Sequence, residues 1–145
     1  MSAELRLSFR DGTNSGYTAT VSPETKSLLV LIVEDDPGLR ELYRKALAAE
    51  GYGVVAVEDG LDALRVIDGA TFPTAVVLDL DLPRVGGRDV YRELRGRAET
   101  SMIPVLVVTG SDTSDLDPAN FACILKKPIS VDALVEAVRR CVRKR

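Results

Sequence analysis

Residues 28–37 read LLVLIVEDDP, six apolar residues followed by three acids and a proline. A run with no polar alternation suits a strand buried on both faces of a parallel sheet. Asp36 and Pro37 stand where a helix N-cap and first helical position belong, and Leu39, Leu42, Tyr43, Ala46 and Leu47 follow at helical spacing as far as Gly51. The fold therefore turns on whether this passage from buried strand to amphipathic helix recurs along the chain.

Continuous apolar runs return at 54–57, 75–78 and 105–108, and Ile124 with Leu125 supplies a shorter fifth. Between them the period changes. Ala63, Leu64 and Ile67 mark a short helix ending near Gly69, and Val90, Tyr91 and Leu94 form the inward face of another from about Gly87 to Arg97. Ser130 can cap a last helix striped by Val131, Leu134, Val135, Val138 and Val142. The segment GSDTSDLDPANFA, 110–122, is polar, carries Pro118, and holds at most a turn or two of helix. Strand and helix alternate from residue 28 onward, which predicts a doubly wound α/β sheet with right-handed crossovers.

The 145 residues suffice for one domain that buries roughly two-thirds of its extended-chain surface. Hydrophobic content of 46% with 28% charged residues is that of a globular chain, and no apolar run is long enough to span a bilayer. The opening MSAELRLSFRDG lacks the basic flank, apolar core and cleavage site of a signal peptide, so a cytoplasmic location is expected. Cys123 and Cys141 lack metal-type or redox-type spacing and read as reduced, packed thiols. The chain has no histidine, which excludes a histidine-based triad and any phosphohistidine of its own. A net charge of −3 gives no general reason to expect nucleic acid. Residues 1–26 stand apart as an extension: ELRLSF and YTATV alternate around DGTNSG, a pattern for a β-hairpin or a flexible segment.

In an open α/β sheet the loops at the carboxyl ends of the strands converge on the ligand site. Glu34 and Asp35 follow the first run, Asp79 ends the third in VVLDLDLP (76–83), Thr109 ends the fourth and Lys127 follows the fifth. Carboxylates gathered on one edge need counter-charge, which a lysine and a divalent cation supply. Magnesium fits, because it takes oxygen ligands, keeps several waters and is commonly held by one or two carboxylates plus phosphate oxygens. An aspartate carboxylate is a nucleophile toward phosphorus, so this edge suits phosphoryl transfer to one of its acids, with Thr109 and Lys127 able to meet the phosphoryl oxygens.

The pieces LIVEDDPGLR, VVLDLDLPRVGG, VLVVTGSD and LKKPIS, in that order, resemble the receiver domains of two-component response regulators over about residues 27–145. The resemblance implies a flavodoxin-like, five-stranded parallel sheet of order 2-1-3-4-5. It implies that Asp79 is the phosphoacceptor, supplied from the phosphohistidine of a partner histidine kinase or phosphotransfer protein. Asp35 and Asp79 would ligate Mg2+ directly, the backbone carbonyl of Asp81 would be a third ligand, and Glu34 would act through water. Thr109 and Lys127 would contact the phosphate, and the Lys127–Pro128 peptide would be cis. The chain would then be no enzyme beyond catalysing its own aspartyl phosphorylation and dephosphorylation, and would signal by a shift between two loop arrangements.

Two positions depart from the family pattern. Ile124 stands where the family usually has an aromatic residue, and the span from Thr109 to Lys127 is shorter by about four residues, roughly one helical turn. A degenerate receiver acting as a phosphorylation-independent binding module is the alternative these departures keep open, against the complete set of Glu34, Asp35, Asp79, Thr109 and Lys127. DLDLP also resembles the D-x-D motif of haloacid-dehalogenase-type phosphatases, but those place it on the first strand, and after Lys127 only Asp132 and Glu136 follow, inside a helix. The Asp81 carboxylate reads either as a solvated rim charge or as a modulator of phosphate lifetime. RRCVRKR at 139–145 reads as favourable helix-end charge or as a basic contact surface. The sequence ends just after the last helix, so no DNA-binding effector is expected in it. Output would run through protein contacts to an unidentified partner or a second copy of the chain, unless the sequence is a piece of a longer protein.

Overall fold

A computed structural model describes residues 28–143 and, as backbone alone, the strands Ala3–Ser8 (β1) and Asn14–Val21 (β2). The remaining elements are β3 (Leu29–Val33), α1 (Pro37–Ala49), β4 (Gly53–Val57), α2 (Gly60–Ile67), β5 (Ala75–Leu78), α3 (Gly87–Gly96), β6 (Val105–Thr109), β7 (Cys123–Lys126) and α4 (Val131–Arg143). Strands β3 to β7 are parallel, in the order β4-β3-β5-β6-β7, which is the expected 2-1-3-4-5 sheet. At the β4 edge the sheet continues through two antiparallel strands: β2 pairs with β4 at Thr20 and Val54, and β1 pairs with β2. The stretch joining those strands and the last two residues of RRCVRKR lie outside the described residues.

The unbroken apolar runs are explained by helices on both faces. Along β3, Leu31 and Val33 pack with Ala63, Val66 and Ile67 of α2 and Val90 and Leu94 of α3. Val30 and Ile32 turn the other way, toward Tyr43 and Leu47 of α1 and Leu134 and Val138 of α4. Each of these side chains is at least nine-tenths buried, and full burial of one such residue contributes about 1.5–3 kcal/mol. Hence no position in the strand tolerates the polar alternation of a half-exposed sheet.

Local signals set the helix starts. The Asp36 carboxylate accepts from the amides of Gly38 and Leu39, Asp59 caps α2 through the Asp62 amide, and Ser130 Oγ accepts from Ala133 N–H. Helix α3 has a glycine N-cap and no side-chain cap. Between β6 and β7 the described residues hold only a 3-10 turn at Pro118–Asn120, matching the polar, proline-bearing sequence there.

Two glycines let the segment after β5 sit tightly against its neighbours. A Cβ on Gly87 would lie 2.3 Å from the Asp79 carbonyl oxygen, and one on Gly60 would lie 1.9 Å from that of Val85. Both obstacles are backbone, which yields only by moving the chain. Gly60→Ala is therefore expected to destabilise the protein by about 1–3 kcal/mol, the usual cost of overpacking. A urea melt reads this directly, and an unchanged midpoint would refute the close approach.

Candidate functional site

The carboxyl ends of β3, β5, β6 and β7 bring the expected residues onto one edge of the sheet. Ligand oxygens of Glu34, Asp35 and Asp79 all lie within 4.8 Å of one another. Glu34 and Asp79 are buried, while Asp35 faces solvent and leaves the cluster open on one side. Lys127 reaches across from the end of β7: its Nζ lies 2.6 Å from Glu34 Oε1 and 3.0 Å from Asp79 Oδ2. Lys126 goes elsewhere and donates to the carbonyls of Gly110 and Ser111. The Lys127–Pro128 peptide is cis, as expected.

The electrostatics follow from this crowding. Burial lifts the Glu34 carboxyl above the usual glutamate range, and the nearby Asp79 charge adds to it, although Lys127 and the Asp36 amide pull it down. Burial works against the Lys127 ammonium, but its bonds to Glu34 and Asp79 prevail and hold its pKa above that of ordinary lysine. The lysine therefore remains a fixed cation among the carboxylates.

Thr109 is fully buried at the end of β6. Its carbonyl accepts from the Lys127 amide at 2.9 Å and its hydroxyl accepts from Ser111 N–H at 3.2 Å, so the threonine and lysine strands are locked in register at the site. Asp81 stands just beyond β5; its amide donates to Asp79 Oδ1 at 3.1 Å, and its carboxylate accepts a hydrogen bond from Ser111 Oγ. The Asp81 carboxylate, exposed on the rim of the site, thus has a partner on the neighbouring loop. Asp36 is committed to capping α1, while Glu136 pairs with Arg139 and Arg140 on α4.

Sequence reading missed Arg40, Ser111 and Arg84. Arg40 donates to the Glu34 carbonyl at 3.0 Å, tying the acidic loop to α1. Arg84 pairs with the buried carboxylates of Asp59 and Asp62. An arginine directly after DLDLP carries no signal of this, because its partners are about two dozen residues away in sequence.

The family model of the response regulator receiver domain matches residues 30–139. The chain belongs to that family. Response regulator MprA of Mycobacterium tuberculosis is 36% identical over 123 residues, which cover 81% of this chain and 52% of MprA. This receiver thus spans about half the length of the curated relatives it matches. Among solved structures, the signal receiver domain of a signal transduction histidine kinase from Syntrophus aciditrophicus is 27% identical with a TM-score of 0.70, covering 80% of this chain and 90% of that one. The receiver domain of a sensor histidine kinase from Pseudomonas aeruginosa is 26% identical with a TM-score of 0.70, covering 80% of this chain and 98% of that one. That domain was solved with a magnesium ion coordinated in its active-site cleft. Receivers are signalling modules of two-component systems. No helix among the described residues is long and apolar enough to cross a membrane.

The acidic cluster of this receiver fits such an ion. Its donors are all carboxylate oxygens, hard ligands that suit magnesium, and one of the three faces solvent, where metal-bound waters would remain.

Proposed function

We propose that this receiver accepts a phosphoryl group on Asp79 from the phosphohistidine of a histidine kinase or a phosphotransfer protein, in a magnesium-dependent step. The observation that carries this reading is the set of three carboxylates within 4.8 Å of one another, closed by the Lys127 ammonium at bonding distance from two of them. An Asp79 oxygen attacks phosphorus, the P–N bond to the donor imidazole breaks, and the donor takes the electron pair and a proton. Asp35, Asp79 and the Asp81 carbonyl would hold the metal, with Glu34 acting through water. When bound, the ion neutralises charge on the transferred oxygens. Lys127 would exchange its bond to Asp79 for one to the phosphoryl group, and the Thr109 hydroxyl would bind another of its oxygens. Residues 27–145 form the receiver unit in this reading, and 1–26 an N-terminal extension. The chain acts in the cytoplasm, and output runs through protein contacts.

Incubation with magnesium and acetyl phosphate, followed by intact-protein mass spectrometry, is expected to give one phosphoryl adduct. Replacing magnesium with EDTA should remove it. An unlabelled protein under conditions that label a control receiver would leave the phosphorylation-independent binding module as the better reading.

A further inference from the structure

We propose that Arg84 is a positioning residue for the metal site, clamping the loop between β5 and α3 onto the start of α2. This rests on the magnesium-binding reading above. The loop carries Asp81, whose carbonyl is assigned to the metal, three residues before Arg84.

Arg84 is the one non-glycine residue with positive φ among those described, at 66°. Such a backbone persists only where the surroundings impose it. Here the Val85 amide closes a tight turn around Arg84 by donating to the Pro83 carbonyl at 2.8 Å, and the guanidinium anchors that turn. Its Nε donates to Asp59 Oδ2 at 2.8 Å, and its NH2 group lies 2.6 Å from the same oxygen and 3.5 Å from Asp62 Oδ2. Both carboxylates are nearly inaccessible, at 3% and 4% exposure, so they present a fixed anionic socket rather than a pair of mobile surface charges. Asp59 is itself held, because its other oxygen accepts from the Asp62 amide.

The clamp acts where the loop is already close-packed. Gly60, next to Asp59, has room for no side chain beneath the Val85 carbonyl, and Gly87 closes the loop by donating to the Leu80 carbonyl at 3.0 Å. The loop is therefore pinned at its base and latched at its tip, with Asp81 between the β5 end and the latch. Metal affinity depends on such supporting contacts, whose loss typically lowers it by about 10- to 100-fold.

Arg84→Gly tests this cleanly, since glycine adopts the positive φ without strain and only the clamp is lost. Magnesium affinity of the metal-free protein is measured by calorimetric titration, beside a urea melt without metal. The expected result is an affinity lowered by about tenfold. Asp59→Asn, which keeps the cap on α2, should give a similar drop, and combining it with Arg84→Gly should add little, as for partners in one interaction. A variant that melts earlier yet binds magnesium as tightly as wild type would overturn the clamp, since a merely structural contact predicts that pattern. Wild-type protein that binds no magnesium would overturn the clamp and the metal-site reading together.

Discussion

Asp79→Asn is expected to abolish phosphoryl uptake, with the adduct seen in the wild type falling to background in mass spectrometry. The substitution preserves shape and leaves an amide oxygen near Lys127, so the loss isolates the carboxylate as nucleophile. An acyl phosphate needs an attacking carboxylate oxygen, and the amide offers no equivalent. Folding is expected to survive, because β5 is anchored by Asp79 N–H donating to the Val33 carbonyl at 3.0 Å, a backbone bond the substitution does not touch. It should even relieve Glu34, whose carboxyl is pushed up in part by the Asp79 charge. The informative comparison is Asp35→Asn, which removes an exposed member of the same cluster. Stoichiometric labelling of the Asp79 variant would show that another carboxylate is the acceptor.

The sheet was legible because its strands obey one strong constraint. Residues such as Leu31 and Ile32 point into opposite core layers, so burial on both faces writes itself into sequence as an unbroken apolar run. Helix starts were legible where a side-chain cap precedes an apolar stripe, as at Asp36 and Ser130. The cap at Asp59 was harder to read, because it lies in a polar stretch with Glu58 before it and Gly60 after it. The convergence of Glu34, Asp35, Asp79 and Lys127 followed from strand ends alone, since a parallel sheet puts every carboxyl end on one edge. The contacts of Arg84 and Ser111 did not follow. They depend on one residue's positive φ and on a hydrogen bond from Ser111 to Asp81 across 30 positions, neither of which leaves a periodic trace. The pairing of β2 with β4 was hidden for a related reason, because alternation marks a strand without naming its neighbour.

Lys127→Ala should act in opposite directions on stability and on metal binding. In the metal-free protein the ammonium is the counter-ion that bridges Glu34 and Asp79, with side-chain exposures of 3% and 6%. Removing one partner of a buried pair leaves the other charges uncompensated and typically costs about 3–5 kcal/mol. The cost here is expected near the lower end, about 3 kcal/mol, because Lys127 keeps one-fifth of its side chain exposed and Glu34 can take up a proton. Magnesium affinity should rise, because the ion no longer competes with an ammonium already seated on two of the carboxylates it would meet. A gain of about tenfold corresponds to about 1.4 kcal/mol. Urea melts with and without magnesium read both effects, and added metal should recover more stability in the variant than in the wild type. Phosphoryl transfer does not share in the gain, since the phosphoryl oxygen that Lys127 would bind loses its partner. Equal metal affinity in variant and wild type would mean that the lysine and the metal do not share the carboxylates, and the competition between them would have to be abandoned.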